Sequence, residues 1–93
     1  ISILIASHIV PWSESTDNER LDVENGILLS PVYDALFDKY LISFDESGKI
    51  IISDAINPTN KEKLGLSDNI KINVTKGMLT YLKRHNMKLF KTI

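Results

Sequence analysis

The chain has 93 residues, a 43% hydrophobic fraction and a net charge of −1, enough for one domain with a modest core and too short for a second. It has no cysteine, which excludes a disulfide framework and a thiolate zinc site, so any metal must be held by oxygen or imidazole. The near-neutral total excludes a protein that coats nucleic acid over its whole surface, yet the charge is divided: residues 1 to 70 hold all twelve acids and five bases, while residues 71 to 93 hold six bases and no acid.

The opening run ISILIASHIV is too short to cross a bilayer and has neither the basic flank nor the cleavage site of a secretion signal, which points to a cytoplasmic, prokaryotic setting with no membrane contact. Its unbroken apolar pattern predicts a strand over Ser2 to Ile9, buried on both faces. The strand begins at once and without a methionine, so the chain is expected to be a fragment of a longer protein.

Pro11 to Glu24 is polar and reads as a surface loop with a turn of helix near Asp17 to Leu21; loops of this length tend to be functional. Asn25-Gly26 predicts a tight turn into a strand over Ile27 to Leu29, a hairpin partner for the first strand. Ser30 as N-cap and Pro31 as the first helical residue then predict a helix to about Lys39, with Val32, Ala35, Leu36 and Phe37 as its apolar stripe.

YLISFDESGKIIIS reads as a second hairpin turning at Asp45 to Lys49. Beyond it lie a loop with a short helix near Thr59 to Leu64, capped by Thr59 and stopped by Gly65, a possible strand in IKINVT, and a final helix from Thr75 to Phe90. On that helix Met78, Leu79, Leu82, Leu89 and Phe90 face inward, and Lys83, Arg84 and Lys88 face out. Trp12, Tyr33 and Tyr81 read as packing residues. The fold class is α+β.

Four residues on the strand-loop-strand-helix unit could act together: His8, Asn25, Asp34 and Asp38. The two aspartates are four apart, so their carboxylates share one helix face. Hard oxygen ligands favour magnesium or manganese, and a nearby neutral imidazole could take a proton from water. Each also has a plainer reading. His8 could be a hydrogen-bonded core residue, Asn25 ordinary turn chemistry, and the aspartates solvated partners of Lys39 or Arg84.

The stretches ASHIVPW, then LDVENGILLSPVYDALFDKYLISFDESGKIIIS, then YLKRHNMKLF together resemble the HNH endonuclease family, the His-Me finger or ββα-metal nucleases, in its restriction-endonuclease-like branch. The resemblance spans about Leu4 to Phe90. It implies a ββα-metal core, here with an additional β-hairpin and a C-terminal helix, forming a single HNH nuclease domain over residues 1 to 93. It also implies an activity, hydrolysis of phosphodiesters in double-stranded DNA with one divalent ion, Mg2+ or Mn2+. By the same resemblance His8 is the general base, Asn25 orients it or joins the metal shell, and Asp34 and Asp38 are metal ligands. The cationic strip, represented by Lys83, Arg84 and Lys88, could hold the DNA backbone without reading sequence, although a solvated helix face gives the same composition. A homodimer and a recognition domain outside the chain follow from the family, while His85 receives no role.

Two positions depart from the family pattern. Ser7 stands where many members have an acid or histidine as a metal ligand, and Asp34 stands in place of the last motif histidine. The first leaves the shell to the two aspartates, water and DNA phosphate; the second favours magnesium. Both would also occur in a catalytically silent HNH-like module that binds DNA or a protein partner.

Overall fold

The computed structural model describes residues 3 to 89. Two antiparallel strands, β1 (Ile5–His8) and β2 (Gly26–Leu29), pair with Ile5 opposite Leu29 and His8 opposite Gly26. The segment between them carries a 3-10 turn at Trp12–Glu14, the short helix α1 (Asp17–Leu21) and a second 3-10 turn at Val23–Asn25. Helix α2 (Pro31–Asp38) follows β2 directly, giving a ββα unit. A second hairpin, β3 (Ile42–Phe44) with β4 (Ile50–Ile52), leads to α3 (Pro58–Lys63) and, after a 3-10 turn at Lys76–Met78, to α4 (Leu79–Asn86). This is the α+β architecture expected, with the hairpin and the C-terminal helix added to the ββα core.

The first strand is shorter and more exposed than its apolar run implied. Ile3, Leu4 and Ile5 are exposed, and burial begins with Ile9 and Val10, just past the strand end. The reason is topological: among the described residues β1 pairs with β2 alone, in a two-stranded sheet. Ser2, the expected start, lies outside the described residues.

Helix α2 begins as expected at Ser30 and Pro31, but the Ser30 hydroxyl makes no capping bond. It buries Leu36 and Phe37 and packs Tyr33 against the core, leaving Val32 and Ala35 exposed. Its end is a Schellman cap: Leu41 N–H donates to the Leu36 carbonyl at 2.9 Å and Tyr40 N–H to that of Phe37 at 3.1 Å. This closure places Tyr40 at φ +60°, a left-handed conformation that normally selects glycine.

The β3–β4 turn closes with Asp45 N–H donating to the Lys49 carbonyl and Gly48 N–H to that of Asp45, both at 2.9 Å. Asp45 Oδ1 accepts from the Ser47 hydroxyl and from the Ser47 and Lys49 amides. These bonds, the Ser47 hydroxyl's first, hold its carboxyl below the usual range. Residues 70 to 72 extend the hairpin only as an isolated bridge, Lys49 to Lys71, in place of the possible strand in IKINVT.

Helix α3 is capped by Asn57, whose side chain accepts from Asn60 N–H at 2.8 Å, so Thr59 lies inside the helix. Helix α4 buries Met78 at its entry and then Tyr81, Leu82 and His85, whereas Leu79 is exposed and Leu89 half-buried. Phe90, expected to face inward, lies outside the described residues. One core cluster gathers these helices on the hairpins through Ile9, Phe37, Ile42, Phe44 and Leu82.

Candidate active site

His8 closes β1 and is exposed. Its Nε2 lies 3.0 Å from the carbonyl oxygen of Arg20 on α1. A carbonyl can only accept, so Nε2 carries the proton of the neutral ring and Nδ1 keeps the lone pair. The ring is thereby held in one orientation. Trp12 packs edge-on against it, the centroids 5.6 Å apart and the planes at 79°.

Asn25 has 0% exposure and touches the chain on either side of this arrangement. Its carbonyl oxygens receive the two amides that follow His8: the backbone oxygen accepts from Ile9 N–H at 3.1 Å, and Oδ1 from Val10 N–H at 2.9 Å. Its Nδ2 donates to the Ser15 hydroxyl at 3.3 Å and to the Glu19 carbonyl at 3.2 Å. Both ends of the Asn25 side-chain amide are thus engaged inside the protein. Asn25 ties the exit of β1 to the helix whose Arg20 carbonyl holds His8. The expected Asn25-Gly26 tight turn is a 3-10 turn over Val23–Asn25, which turns the side chain inward.

Asp34 and Asp38 flank the strand end from α2. Asp34 Oδ1 accepts a hydrogen bond from Ser7, the residue before His8. Asp38 is exposed and shares a small cleft with His8, Phe37, Tyr40 and His85. Among the described residues no cluster of three His, Asp, Glu or Cys side chains is gathered for a metal. The oxygen donors beside His8 are the Asp34 and Asp38 carboxylates, a chemistry that fits a hard cation keeping most of its water and does not fit a closed zinc site.

The C-terminal cations are placed differently from the expectation. Arg84 Nη1 is 2.6 Å from Glu19 Oε2, and Lys88 pairs with Glu14. Tyr81 donates to Asp22 Oδ2 at 2.6 Å, and Thr75 donates to Glu24. Tyr81 and Arg84 lie three apart on one face of α4, Lys88 follows in the turn after it, and Asp22, Glu19 and Glu14 of the loop settle against them. Two bases of the strip, Arg84 and Lys88, thus clamp the loop that carries Arg20. Of the three proposed DNA contacts only Lys83 is exposed without an ion-pair partner among the described residues.

This clamp moves two titrations. Hydrogen bonds from the backbone of Thr16 and from Arg84 hold the Glu19 carboxyl below its usual range. Asp22, which Tyr81 holds low by the same bond, pushes the Tyr81 hydroxyl up to about 12.

His85 has a structural part. It is 3% exposed, its ring stacked on Phe37 at 3.7 Å between centroids and 5° between planes. Nε2–H donates to the Phe37 carbonyl, and Nδ1 accepts from the Ser43 hydroxyl, each at 2.8 Å. Burial pushes its pKa down, against the pull of the Phe37 bond and of Asp38. A neutral imidazole with both nitrogens occupied fastens α4 to α2 and β3.

Sequence reasoning treated Trp12 as packing and passed over Arg20. Trp12 is 58% exposed, with the Arg20 guanidinium carbon 4.5 Å over its ring. An arginine eight residues from a tryptophan across a loop has no periodic signature, so the pair becomes visible only when α1 is folded back.

A two-stranded antiparallel sheet delivering an oriented histidine to the flank of a helix that bears two carboxylates defines the ββα-metal class. Residues 2–45 match the family model described as HNH endonuclease, which supports assignment to that family. HNH nucleases act on DNA and generally depend on a divalent metal. No curated protein matches the chain. Among the described residues, no helix is long and apolar enough to cross a membrane.

Proposed function

We propose that this chain is a metal-dependent endonuclease domain that cleaves double-stranded DNA, the cleavage module of a cytoplasmic restriction-type enzyme whose recognition domain lies elsewhere. The observation that carries this reading is the hydrogen bond from His8 Nε2 to the Arg20 carbonyl, which leaves Nδ1 as a proton acceptor on an exposed ring. His8 takes the proton of an attacking water, the step for which a positioned imidazole is best suited near neutral pH. Asn25 and the Arg20 carbonyl fix the ring so that no reorganisation is needed when the proton moves. Asp34 and Asp38 would hold a magnesium or manganese ion. When bound, it supplies positive charge to the phosphate oxygens on which negative charge develops.

Relaxed-plasmid formation by the purified chain in magnesium or manganese tests the reading. Chelation abolishes cleavage, and His8→Ala lowers it by a factor of 100 or more, the order expected for losing a general base. Undiminished cleavage by His8→Ala would overturn the assigned role.

A second reading has its own observation. The Ser7 hydroxyl bonds to Asp34, so the family's ligand position here satisfies a carboxylate within the protein. A catalytically silent HNH-like module that binds DNA or a protein partner would have this feature, and it would bind DNA without hydrolysis in any metal.

A further inference from the structure

We propose that Arg20 is a phosphate-contacting residue of this site, its guanidinium laid on Trp12 so that it meets the DNA backbone beside His8; the inference rests on the nuclease reading. Arginine is the side chain suited to a phosphate because its planar fork donates two parallel hydrogen bonds. Arg20 is held as such a contact requires. Nε donates to the Trp12 carbonyl at 2.9 Å, and the guanidinium carbon lies 4.5 Å over the indole. The plane is thereby set before any ligand arrives, which lowers the ordering cost of binding.

The guanidinium is also partly open to solvent, the Arg20 side chain being 27% exposed. Its ion pair is with Asp17 at 3.3 Å, and that carboxylate is 97% exposed; a solvated pair three residues apart contributes little and yields readily to a stronger anion. Among the described residues, Nη2 donates to no protein group. Arg84 and Lys88, in contrast, are engaged by Glu19 and Glu14.

Placement supplies the remaining step. The backbone carbonyl of Arg20 holds His8 Nε2 at 3.0 Å while its side chain rests on the tryptophan whose ring meets His8 edge-on. Base and guanidinium are thus fixed by one five-residue helix. Ser7, His8, Arg20 and Asn25 line one open cavity of about 260 Å³, large enough for a phosphate group. The exposed indole, which contributes little to the core, is accounted for as the surface that fixes the guanidinium.

The test is DNA binding by a chain that cannot cleave. In a His8→Ala background, affinity for a short duplex is measured by fluorescence anisotropy across a salt series, with and without Arg20→Ala, Arg20→Lys and Asp17→Asn. Arg20→Ala is expected to weaken binding about tenfold and to reduce the slope of log affinity against log salt by about one, the signature of one lost phosphate contact. Arg20→Lys keeps the slope, and Asp17→Asn, whose fold does not depend on Arg20 being changed, tightens binding. A purely structural Arg20 would lower the melting temperature without moving the slope. An unchanged slope in Arg20→Ala, or no gain in Asp17→Asn, overturns the phosphate contact alone. No binding by the His8→Ala chain overturns the DNA-cleaving reading together with it.

Discussion

Two histidines occupy this chain, and their surroundings send them to opposite ends of imidazole chemistry. His8 is exposed with Nε2 engaged and Nδ1 free, whereas His85 is buried with both nitrogens bonded. The grouping of His8, Asn25 and Asp34 came into view through the family resemblance of the stretches around them, since each residue taken alone also fits a plainer part. The part of His85 was not legible from sequence, because its partners Phe37 and Ser43 lie over 40 residues away. Since the folded state depresses the His85 pKa below its unfolded value, the unfolded chain binds more protons as pH falls. The stabilising contribution is therefore full above about pH 6.5 and is lost as pH drops toward the folded value. Denaturant unfolding followed from pH 7.5 to 5 will show this decline, and His85→Gln will flatten it. Asn25→Ala strands the Val10 amide inside the protein, at a cost on the order of 2 kcal/mol, readable as a shift in denaturant midpoint.

Among the elements, those driven by local chemistry were the ones read correctly from sequence. Asp17–Leu21 formed as expected because Thr16 and Glu19 make a capping box, and the β3–β4 hairpin because Asp45 and Gly48 close its turn. The errors came where tertiary packing decides. The apolar β1 run is largely exposed, with β2 its one strand partner among the described residues; Lys83 faces solvent as expected, while Arg84 and Lys88 meet the acidic loop.

Gly48, at φ +88°, tests the hairpin's dependence on its turn: an added Cβ would lie 2.0 Å from the Ile72 carbonyl oxygen. Gly48→Ala is expected to destabilise the protein by roughly 3 kcal/mol, measured by urea unfolding. The docking of the loop on α4 has a pH signature of its own. The folded Tyr81 pKa, about 12, lies above the ordinary value of 10. Its bond to Asp22 thus stabilises fully below pH 10 and is lost as pH rises toward 12. Thermal melts over that interval will show a steeper loss of stability in the native chain than in Tyr81→Phe.

On the scale of the whole molecule, the family match ends at residue 45, while the site is held from beyond it. Tyr81, Arg84 and Lys88 fix Asp22, Glu19 and Glu14, and through them the helix that orients His8. The C-terminal part thus braces the loop between β1 and β2 through Tyr81, Arg84 and Lys88. Two acids on α2, one histidine on β1 and a loop secured by α4 converge on one edge of the ββα unit, and the central claim is that this edge hydrolyses DNA with His8 as its base. The most direct measurement is nicking of supercoiled plasmid by the purified chain, with magnesium, manganese or a chelator, alongside His8→Ala. The account predicts metal-dependent nicking that chelation abolishes and the substitution reduces by at least about 100-fold; equal nicking by both proteins would contradict it.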